Sequence, residues 1–417
     1  DDDVLHPPPP PPPPASGAAG GLGAAPPEGD SLGGDPMELE PNRQVYVEEG
    51  DFAVLYERRE FADARVRAWE QRLGRASDEH EERVISRCLA DAKSRRTNID
   101  NVLYALNDED GAAATIETTY STRGMGMGRR FADGPSIQRL GREDRALVAA
   151  AKYYDIDIGN CHPKLASQLP IVLANPKRYE LPLAYAQDRT PFWALVTREY
   201  GCDEGWAKVL FIRMSYGGGY RAWLAEGRLT ARITHVSTGP DGHRVPDLVA
   251  EFQNQSRRLI EDVTNARPDV MDRAKEYCGN ESLYAQQKCA YSYIMTEIED
   301  KVLATMEEVA REHGWYIAVL LYDGGLLRKR AGMTKADVKR LLRVMEEAIK
   351  TRLQVEVSLL VKDFPTPDSA VQQGLGADDA QLDAEATTVA QKLGAAKRGQ
   401  PKRKRVTVDP AGKRARR

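Results

Sequence analysis

The chain has 417 residues, of which 41% are hydrophobic and 29% are charged, enough for about two or three domains with a sizeable core. No segment approaches the roughly 18 uncharged apolar residues of a membrane-spanning helix, so we expect no membrane association. Five scattered cysteines without a Cys-x-x-Cys pair exclude a disulfide framework or a zinc ribbon and are typical of a reducing compartment. The net charge of −4 hides a basic C-terminus, because residues 397–417 contain ten Lys or Arg residues and one acid.

The N-terminal segment is of low complexity. Residues 1–42 are rich in Pro, Gly and Ala, and Pro7 to Pro14 form an unbroken run. Such a run forms polyproline II and builds no packed core, so we expect a disordered leader. Because the first residue is Asp1 rather than Met, we also expect the chain to be a fragment of a longer protein.

The next region has a helical pattern. Apolar residues at mixed spacings of three and four among many charges predict two long helices, and a further helix with several arginines follows a Gly-rich and Arg-rich loop at 110–135. The predicted helices are Tyr56–Arg75, Asp78–Leu106 and Ser136–Ala151. Arg129, Arg130, Arg139 and Arg145 are candidates for contacts with phosphate groups, although a solvated face explains them equally well.

The remaining part to residue 362 alternates strands and helices. Its last elements read strand, Asp-Gly hairpin turn, strand, helix and strand, which predicts an α+β fold with an antiparallel sheet backed by helices on one face. The predicted elements in chain order are the strand Tyr153–Ile158, the helices Asp203–Tyr216, Pro246–Ala266 and Ser282–His313, the strands Trp315–Tyr322 and Gly325–Lys329, the helix Thr334–Leu353 and the strand Val355–Lys362.

The C-terminal segment, 363–417, is predicted to be a disordered linker and a basic tail. Its run Pro401-Lys-Arg-Lys-Arg-Val406 resembles a nuclear localisation signal. We therefore expect a nuclear protein that contacts an import receptor through Lys402–Arg405. The same run would also bind nucleic acid in a salt-dependent, non-specific manner.

Two acidic positions and one helix are candidates for chemistry. Asp155 and Asp157 point to the same face of the first strand because side chains alternate along a strand, and paired carboxylates suit Mg²⁺. For these two residues taken alone, a helix cap and a solvated side chain are the favoured explanation, because short motifs often match by chance. Lys208 and Tyr216 share a helix face at positions i and i+8, which suits a triphosphate and a base, or else an ordinary amphipathic helix. Asp323 is either a further ligand or simply a turn residue.

The order of these elements resembles the DNA polymerases, chiefly family A. Asp157 matches the metal-binding aspartate of the first palm motif, and His162 falls where the family places the residue that excludes a ribose 2′-hydroxyl. Lys208 followed by Tyr216-Gly217 matches the spacing of the fingers motif. Tyr322-Asp323-Gly324 matches the hairpin motif His-Asp-Glu at the aspartate alone, a form that fits divergent polymerases of viruses or mobile elements.

The resemblance covers roughly residues 120–362 and includes departures. The arginine expected four residues before Lys208 is absent, and Arg213 and Arg189 are its candidate substitutes. Gly324 replaces the second acid of the hairpin motif, which leaves Asp155 as a third candidate metal ligand. His162 is neither of the residues that polymerases usually have at this position, so the sugar selectivity stays open.

The resemblance implies a domain arrangement and a mechanism. It implies a helical thumb-like region at 43–118 and a palm at 119–362 with a helical fingers insertion at about 170–280. Asp157 and Asp323, with Asp155, would bind two Mg²⁺ ions and catalyse nucleotidyl transfer from dNTPs to the 3′-hydroxyl of a primed DNA template. Lys208, Tyr216, His162 and Arg213 would bind the nucleotide.

Two other functions compete with this one. The first is a polymerase-like nucleic-acid-binding protein whose catalytic site has decayed, which Gly324 and His162 favour. The second is an RNA-copying enzyme or a nuclease. The hairpin of reverse transcriptases has two adjacent aspartates, whereas this chain has one, which disfavours an RNA-copying enzyme. A nuclease would need an additional acid or a basic lysine beside the metals, and none stands out in the sequence.

Overall fold

The computed structural model describes residues 44–106, 114–227, 237–238 and 244–365, together with Leu382 and Ala386. Within these residues the fold is α+β with small antiparallel sheets, which confirms the predicted class. The predicted leader at 1–42 and the basic run Lys402–Arg405 lie outside the described residues.

Helices predominate. The α-helices are α1 Val54–Leu73, α2 Glu79–Tyr104, α3 Arg142–Ala149, α4 Cys161–Ser167, α5 Pro170–Ala174, α6 Glu180–Gln187, α7 Thr190–Tyr200, α8 Glu204–Ser215, α9 Tyr220–Gly227, α10 Asp247–Asn265, α11 Pro268–Cys278, α12 Leu283–Glu312 and α13 Lys335–Leu353. The strands are β1 Tyr46–Glu49, β2 Thr115–Thr118, β3 Tyr120–Thr122, β4 Arg130–Ala132, β5 Tyr153–Ile158, β6 Ser237–Thr238, β7 Arg244–Val245, β8 Ile317–Leu321, β9 Gly324–Arg328 and β10 Leu359–Lys362. Short 3₁₀ turns cover Ile137–Arg139 and Pro176–Tyr179.

A four-stranded sheet organises the centre of the molecule. Its strand order is β10-β5-β9-β8, and every neighbouring pair is antiparallel. The predicted succession of strand, turn, strand, helix and strand is therefore correct. The last strand is shorter than predicted and begins at Leu359 rather than Val355.

The sheet is covered on both faces, which corrects the prediction of helices on one face. Ile156, Ile158 and Leu327 pack in the same core as the apolar residues of α12 and α13. On the opposite face, Tyr153 and Leu326 pack in the core that also includes residues of α1, α2 and α3. Because side chains alternate along β5, Asp155 and Asp157 share the face of Tyr153.

The helical hairpin α1–α2 is attached to the rest of the protein through a buried carboxylate. Asp144 of α3 is completely buried and accepts a hydrogen bond from Arg58 of α1 at 2.7 Å and two from Arg95 of α2 at 2.8 and 2.9 Å. Leu382, in the predicted C-terminal linker, is helical and buried among apolar residues of α1 and α2. That position of the linker is therefore ordered.

The helices between residues 170 and 280 have a core of their own. Aromatic and aliphatic side chains of α6 to α10 form a cluster separate from the two cores of the sheet. Its rings include Phe192, Phe211 and Phe252, which meet edge to face with ring centroids 5.0–5.9 Å apart. Such contacts contribute beyond the burial of apolar area, so this region packs as a unit of its own.

Three sequence predictions were wrong in detail. The segment 110–135, predicted as a loop, contains β2, β3 and β4. Strands β1 and β2 pair with each other, so the region 43–118 is not wholly helical. The helix predicted over Ser136–Ala151 is a 3₁₀ turn followed by α3, because Leu140 and Gly141 adopt extended conformations between them.

In the described part of the chain, no helix combines the length and the apolar character that crossing a bilayer requires.

Replacing Asp144 by Ala should lower the free energy of unfolding by about 3–5 kcal/mol, because Arg58 would remain buried without its carboxylate partner. Urea denaturation followed by circular dichroism measures this loss. Asp91→Ala is the matched control, since Asp91 pairs with Arg87 on the exposed surface of α2 and should change stability by no more than about 0.5 kcal/mol. Equal effects of the two substitutions would contradict the anchoring role of Asp144.

Candidate functional site

Asp157 and Asp323 meet at the end of the central sheet. Asp157 lies on β5, and Asp323 lies in the turn between β8 and β9, immediately before Gly324. The backbone N–H of Ile158 donates to the carbonyl of Asp323 at 3.0 Å, and the two carboxyl groups are close enough to interact electrostatically. The structure thus brings together two aspartates that are distant in sequence.

Gly324 allows this close approach. It pairs directly with Asp157 across the two strands. A Cβ atom at Gly324 would overlap the carbonyl oxygen of Ile156 and would lie 2.9 Å from the Cα atom of Asp157. Any side chain here, including the acid of the family A hairpin motif, would push the two strands apart. The glycine is therefore a requirement of this sheet.

Burial and the charge of its neighbour govern the ionisation of Asp157. The pKa of Asp157 is raised well above its usual range, first by burial and then by the negative charge of Asp323. Ionisation of both members of a close carboxyl pair is unfavourable in free energy unless a cation lies between them. Lys362 of β10 partly meets this need, because its Nζ atom is 2.8 Å from Oδ2 of Asp157.

Asp155 lies beside the pair but outside the cleft that they line. It is directly opposite Lys362 in the register of β5 and β10. Burial raises its pKa, and the nearby positive charges of Lys362 and Arg145 oppose that shift. Asp155 is absent from the lining of the cleft described below, so its predicted place among the metal ligands gains no support from this arrangement.

The two aspartates line a solvent-open cleft of about 770 Å³ between the sheet and the helical region. The wall on the side of the sheet includes Asp157, Asp323 and Lys362, and the opposite wall includes Lys208, Tyr216 and Arg189. Carboxylates therefore face cations and an aromatic ring across one cleft. Such a polarity suits a ligand that bears phosphate groups and metal ions.

The helix α8 presents the cationic wall. Asp203 caps this helix and accepts a hydrogen bond from the N–H of Trp206 at 2.7 Å. Lys208 is buried, and its Nζ atom lies 5.8 Å from the centroid of the Trp193 ring, which Arg189 also approaches to 4.5 Å.

Of the two arginines considered as substitutes for the missing one, Arg189 lines the cleft and Arg213 does not. Arg213 lies near the end of α8, where its backbone carbonyl accepts a hydrogen bond from Gly218 at 2.8 Å. The structure thus points to Arg189, on the neighbouring helix, as the additional cation of this wall.

His162 belongs to a buried ionic network that sequence reasoning missed. Its Nε2 atom is 2.5 Å from Oε2 of Glu299, a completely buried residue of α12. Arg129 also binds Glu299 with two hydrogen bonds, of 2.5 and 2.8 Å. Arg129 and His162 lower the pKa of Glu299 to about 2 against the effect of burial, so Glu299 is an ionised acceptor and Nε2 of His162 donates. Glu299 lies 137 positions after His162, and no local pattern signals their contact.

The contacts of this network extend to the hairpin turn at Tyr322 and to the end of α8 at Tyr216. The guanidinium of Arg129 lies 5.2 Å from the ring centroid of Tyr322, next to Asp323. On the other side, the ring of His162 lies 5.5 Å from that of Tyr216 at the end of α8. A chain of contacts therefore joins the hairpin turn to the helix on the opposite wall of the cleft.

Among the described residues, Cys161, His162 and Glu299 are the one cluster of three or more His, Cys, Asp or Glu side chains whose donor atoms are close enough to share a metal ion. Their donor atoms lie within 4.8 Å of one another. Both carboxylate oxygens of Glu299 already accept hydrogen bonds from Arg129, whose positive charge opposes a cation at this point. We therefore interpret these residues as part of the ionic network.

A second groove of about 970 Å³ adjoins the hairpin turn at Tyr322. Four of its thirteen lining residues are arginines and two are acids. Arg123 and Arg139 both donate to the carbonyl of Ala132, at 2.7 and 2.8 Å. The pKa of Arg139 is lowered by burial and by the nearby charge of Arg123. Two cations in such proximity favour an anionic ligand. The further arginines of this groove are Arg95 and Arg145.

Two of the four arginines proposed to contact phosphate groups are instead paired within the protein. Arg129 binds Glu299, as described above. Arg130 binds Asp300 at 2.6 Å and Glu307 at 2.7 Å. Arg139 and Arg145 remain candidates for phosphate contacts because both line the second groove.

No protein-family model matches the chain. A search of curated proteins also finds no match.

Replacing Gly324 by Glu, the acid that the family A motif has at this position, should destabilise the protein by about 3 kcal/mol or more, because the new side chain overlaps the backbone of Ile156. Thermal unfolding of the metal-free protein measures the effect. Gly134→Ala is the control, since a Cβ atom at Gly134 meets nothing within 4 Å. A Gly324→Glu variant with unchanged stability would show that β5 and β9 can move apart without a large loss of folding free energy.

Proposed function

We propose that this chain is the core of a template-directed DNA polymerase, which transfers nucleotidyl groups from dNTPs to the 3′-hydroxyl of a primer. The observation that carries the proposal is the placement of Asp157 and Asp323 in contact at one wall of a cleft whose other wall presents Lys208 and Tyr216. These four residues are among those on which the family resemblance depends. All four line one cleft, and this observation does not depend on the sequence spacing from which they were first selected.

The donor set of the cleft fits magnesium. Asp157 and Asp323 offer hard anionic oxygens, and burial, followed by the negative charge of Asp323, raises the pKa of Asp157. These two residues would hold the two Mg²⁺ ions. When bound, the metals would activate the primer hydroxyl and stabilise the charge of the leaving pyrophosphate.

The cationic wall would bind the triphosphate. Lys208 and Arg189 project from neighbouring helices into the cleft opposite the aspartates. A lysine acts on phosphate as a point charge, whereas an arginine can donate two parallel hydrogen bonds. Together they would hold the nucleotide with its phosphate groups directed at the carboxylate pair.

His162 and Tyr216 would form the part of the site that contacts the sugar and the base. The hydrogen bond to Glu299 fixes the ring of His162 through its Nε2 atom, which holds the imidazole in one orientation. Tyr216 lies against the same ring and would stack near the templating base. A rigid His162 would limit the space available to a sugar hydroxyl.

The arginine-lined groove would accommodate the nucleic acid. It adjoins the hairpin turn through Tyr322 and is bordered by α2 of the helical hairpin. Guanidinium groups bind the phosphodiester backbone independently of base sequence. Arg123 and Arg139 are the residues of this groove for which we propose such contacts.

The alternative is a polymerase-like protein that binds nucleic acid without catalysis. Gly324 in place of an acid suggested such a decayed site. Since the close approach of β5 and β9 requires a glycine at this position, its presence does not favour decay. Catalysis therefore remains the preferred function.

Asp323→Asn should abolish primer extension, with a loss of about a thousandfold or more, because removing one carboxylate deprives both metals of charge. Gel-based extension of a primed DNA template with Mg²⁺ and dNTPs measures this, and rNTPs in parallel report what His162 excludes. Asp272→Asn, at an exposed position of α11, is the matched control. Absence of extension by the unmodified protein, with salt-sensitive DNA binding retained, would establish the non-catalytic alternative.

Lys208→Met should raise the KM for dNTPs by about 10- to 100-fold, because an ammonium group that contacts phosphate would be lost. Steady-state extension at varied dNTP concentration separates this effect from a change in kcat. Lys275→Met, at an exposed site on α11, should leave both constants unchanged. An unchanged KM in the Lys208 variant would remove this residue from the nucleotide site.

A further inference from the structure

Lys362 brings a positive charge into the carboxylate site from the edge of the sheet. It is the last residue of β10, which pairs with β5 alone among the described strands. Its Nζ atom is 2.8 Å from Oδ2 of Asp157, and its side chain is about one quarter exposed. Lys362 also lines the same cleft as Asp157 and Asp323.

This contact places the ammonium group where a divalent cation would bind. Mg²⁺ coordinates carboxylate oxygens at about 2.0–2.1 Å and requires nearly ideal octahedral geometry. An ammonium group in hydrogen-bonding contact with Oδ2 of Asp157 leaves no room for a cation on the same lone pair. Two positive charges at this distance would also repel each other strongly in a partly buried site.

The charges around the site explain why a lysine is needed when no metal is bound. Asp155, Asp157 and Asp323 lie close enough for their charges to interact. Lys362 interacts with all three aspartates. The other positive groups that act on them are Arg145 and Arg142, which interact with Asp155, and Arg129, which interacts with Asp323. Among these, Lys362 is the one in hydrogen-bonding contact with Asp157.

We propose that Lys362 is an internal counter-ion, which occupies Asp157 in the metal-free protein and must be displaced when a divalent cation binds. This inference rests on the proposed function, because it assumes that Asp157 and Asp323 bind metal ions. Lys362 therefore sets the affinity of the site for cations and keeps the site from binding them at low concentration. The displaced ammonium remains on the wall of the cleft, within reach of the phosphate groups of a bound nucleotide.

The test compares Mn²⁺ binding by the unmodified protein and by Lys362→Met. Electron paramagnetic resonance of free Mn²⁺ during a titration gives the dissociation constant without nucleotide or nucleic acid. We expect Lys362→Met to bind Mn²⁺ at least tenfold more tightly, because the competing charge is gone. Lys362→Gln, which keeps a hydrogen-bond donor but no charge, should show the same gain.

Two control variants make the result specific. Lys350→Met removes a surface lysine paired with Glu356 and should leave the dissociation constant unchanged. Asp157→Asn should abolish the site in the presence or absence of Lys362. Circular dichroism spectra of all variants verify that each one is folded.

The outcomes distinguish the two proposals. Equal or weaker Mn²⁺ binding by both neutral Lys362 variants, while binding still depends on Asp157, would overturn the counter-ion role and leave the polymerase proposal intact. Mn²⁺ binding that does not depend on Asp157 and Asp323, or no binding in any variant, would overturn the proposed function and this inference together.

Discussion

The arrangement of the site depends on the close approach of strands β5 and β9. Asp157 pairs with Gly324, and no side chain fits at the glycine without displacing the backbone of Ile156. This approach brings the carboxyl group of Asp323, at the tip of the turn, against that of Asp157. The cores on both faces of the sheet hold the two strands in register, and a shift of one residue would turn Asp157 to the opposite face.

A second constraint aligns the opposite wall of the cleft with this sheet. Glu299 is buried and ionised, so it requires partners that are fixed in position. Arg129, from the segment before β4, and His162, from α4, satisfy it, and His162 in turn contacts Tyr216. The buried charge therefore links the position of α8 to that of α12. Removing it would leave Arg129 buried without a partner, which is costly in a densely packed interior.

The sequence predicted those parts of the structure that local patterns encode. The hairpin around Asp323 follows from an apolar strand and an Asp-Gly turn, and helix α8 follows from its cap and terminal glycines. The strands β2 to β4 were missed because short strands in a Gly-rich segment have little periodicity. Glu299 and Lys362 were missed because each acquires its role from a partner more than 100 residues away. Arg129 was assigned to phosphate binding because its carboxylate partner, Glu299, could not be recognised in a helix with many charges.

The presence of a glycine at position 324, where the family A motif has an acid, and the presence of Lys362 have related consequences for the site. Each makes the carboxylate cluster less negative than a site with an additional acid and no lysine. A less negative cluster costs less to bury in the metal-free protein, because fewer like charges repel one another. The same reduction weakens the attraction for divalent cations. The balance of charges therefore favours a fold that assembles without metal ions. Under the proposed function, the carboxylate site would be fully neutralised only when cations and a phosphate-bearing substrate enter the cleft together.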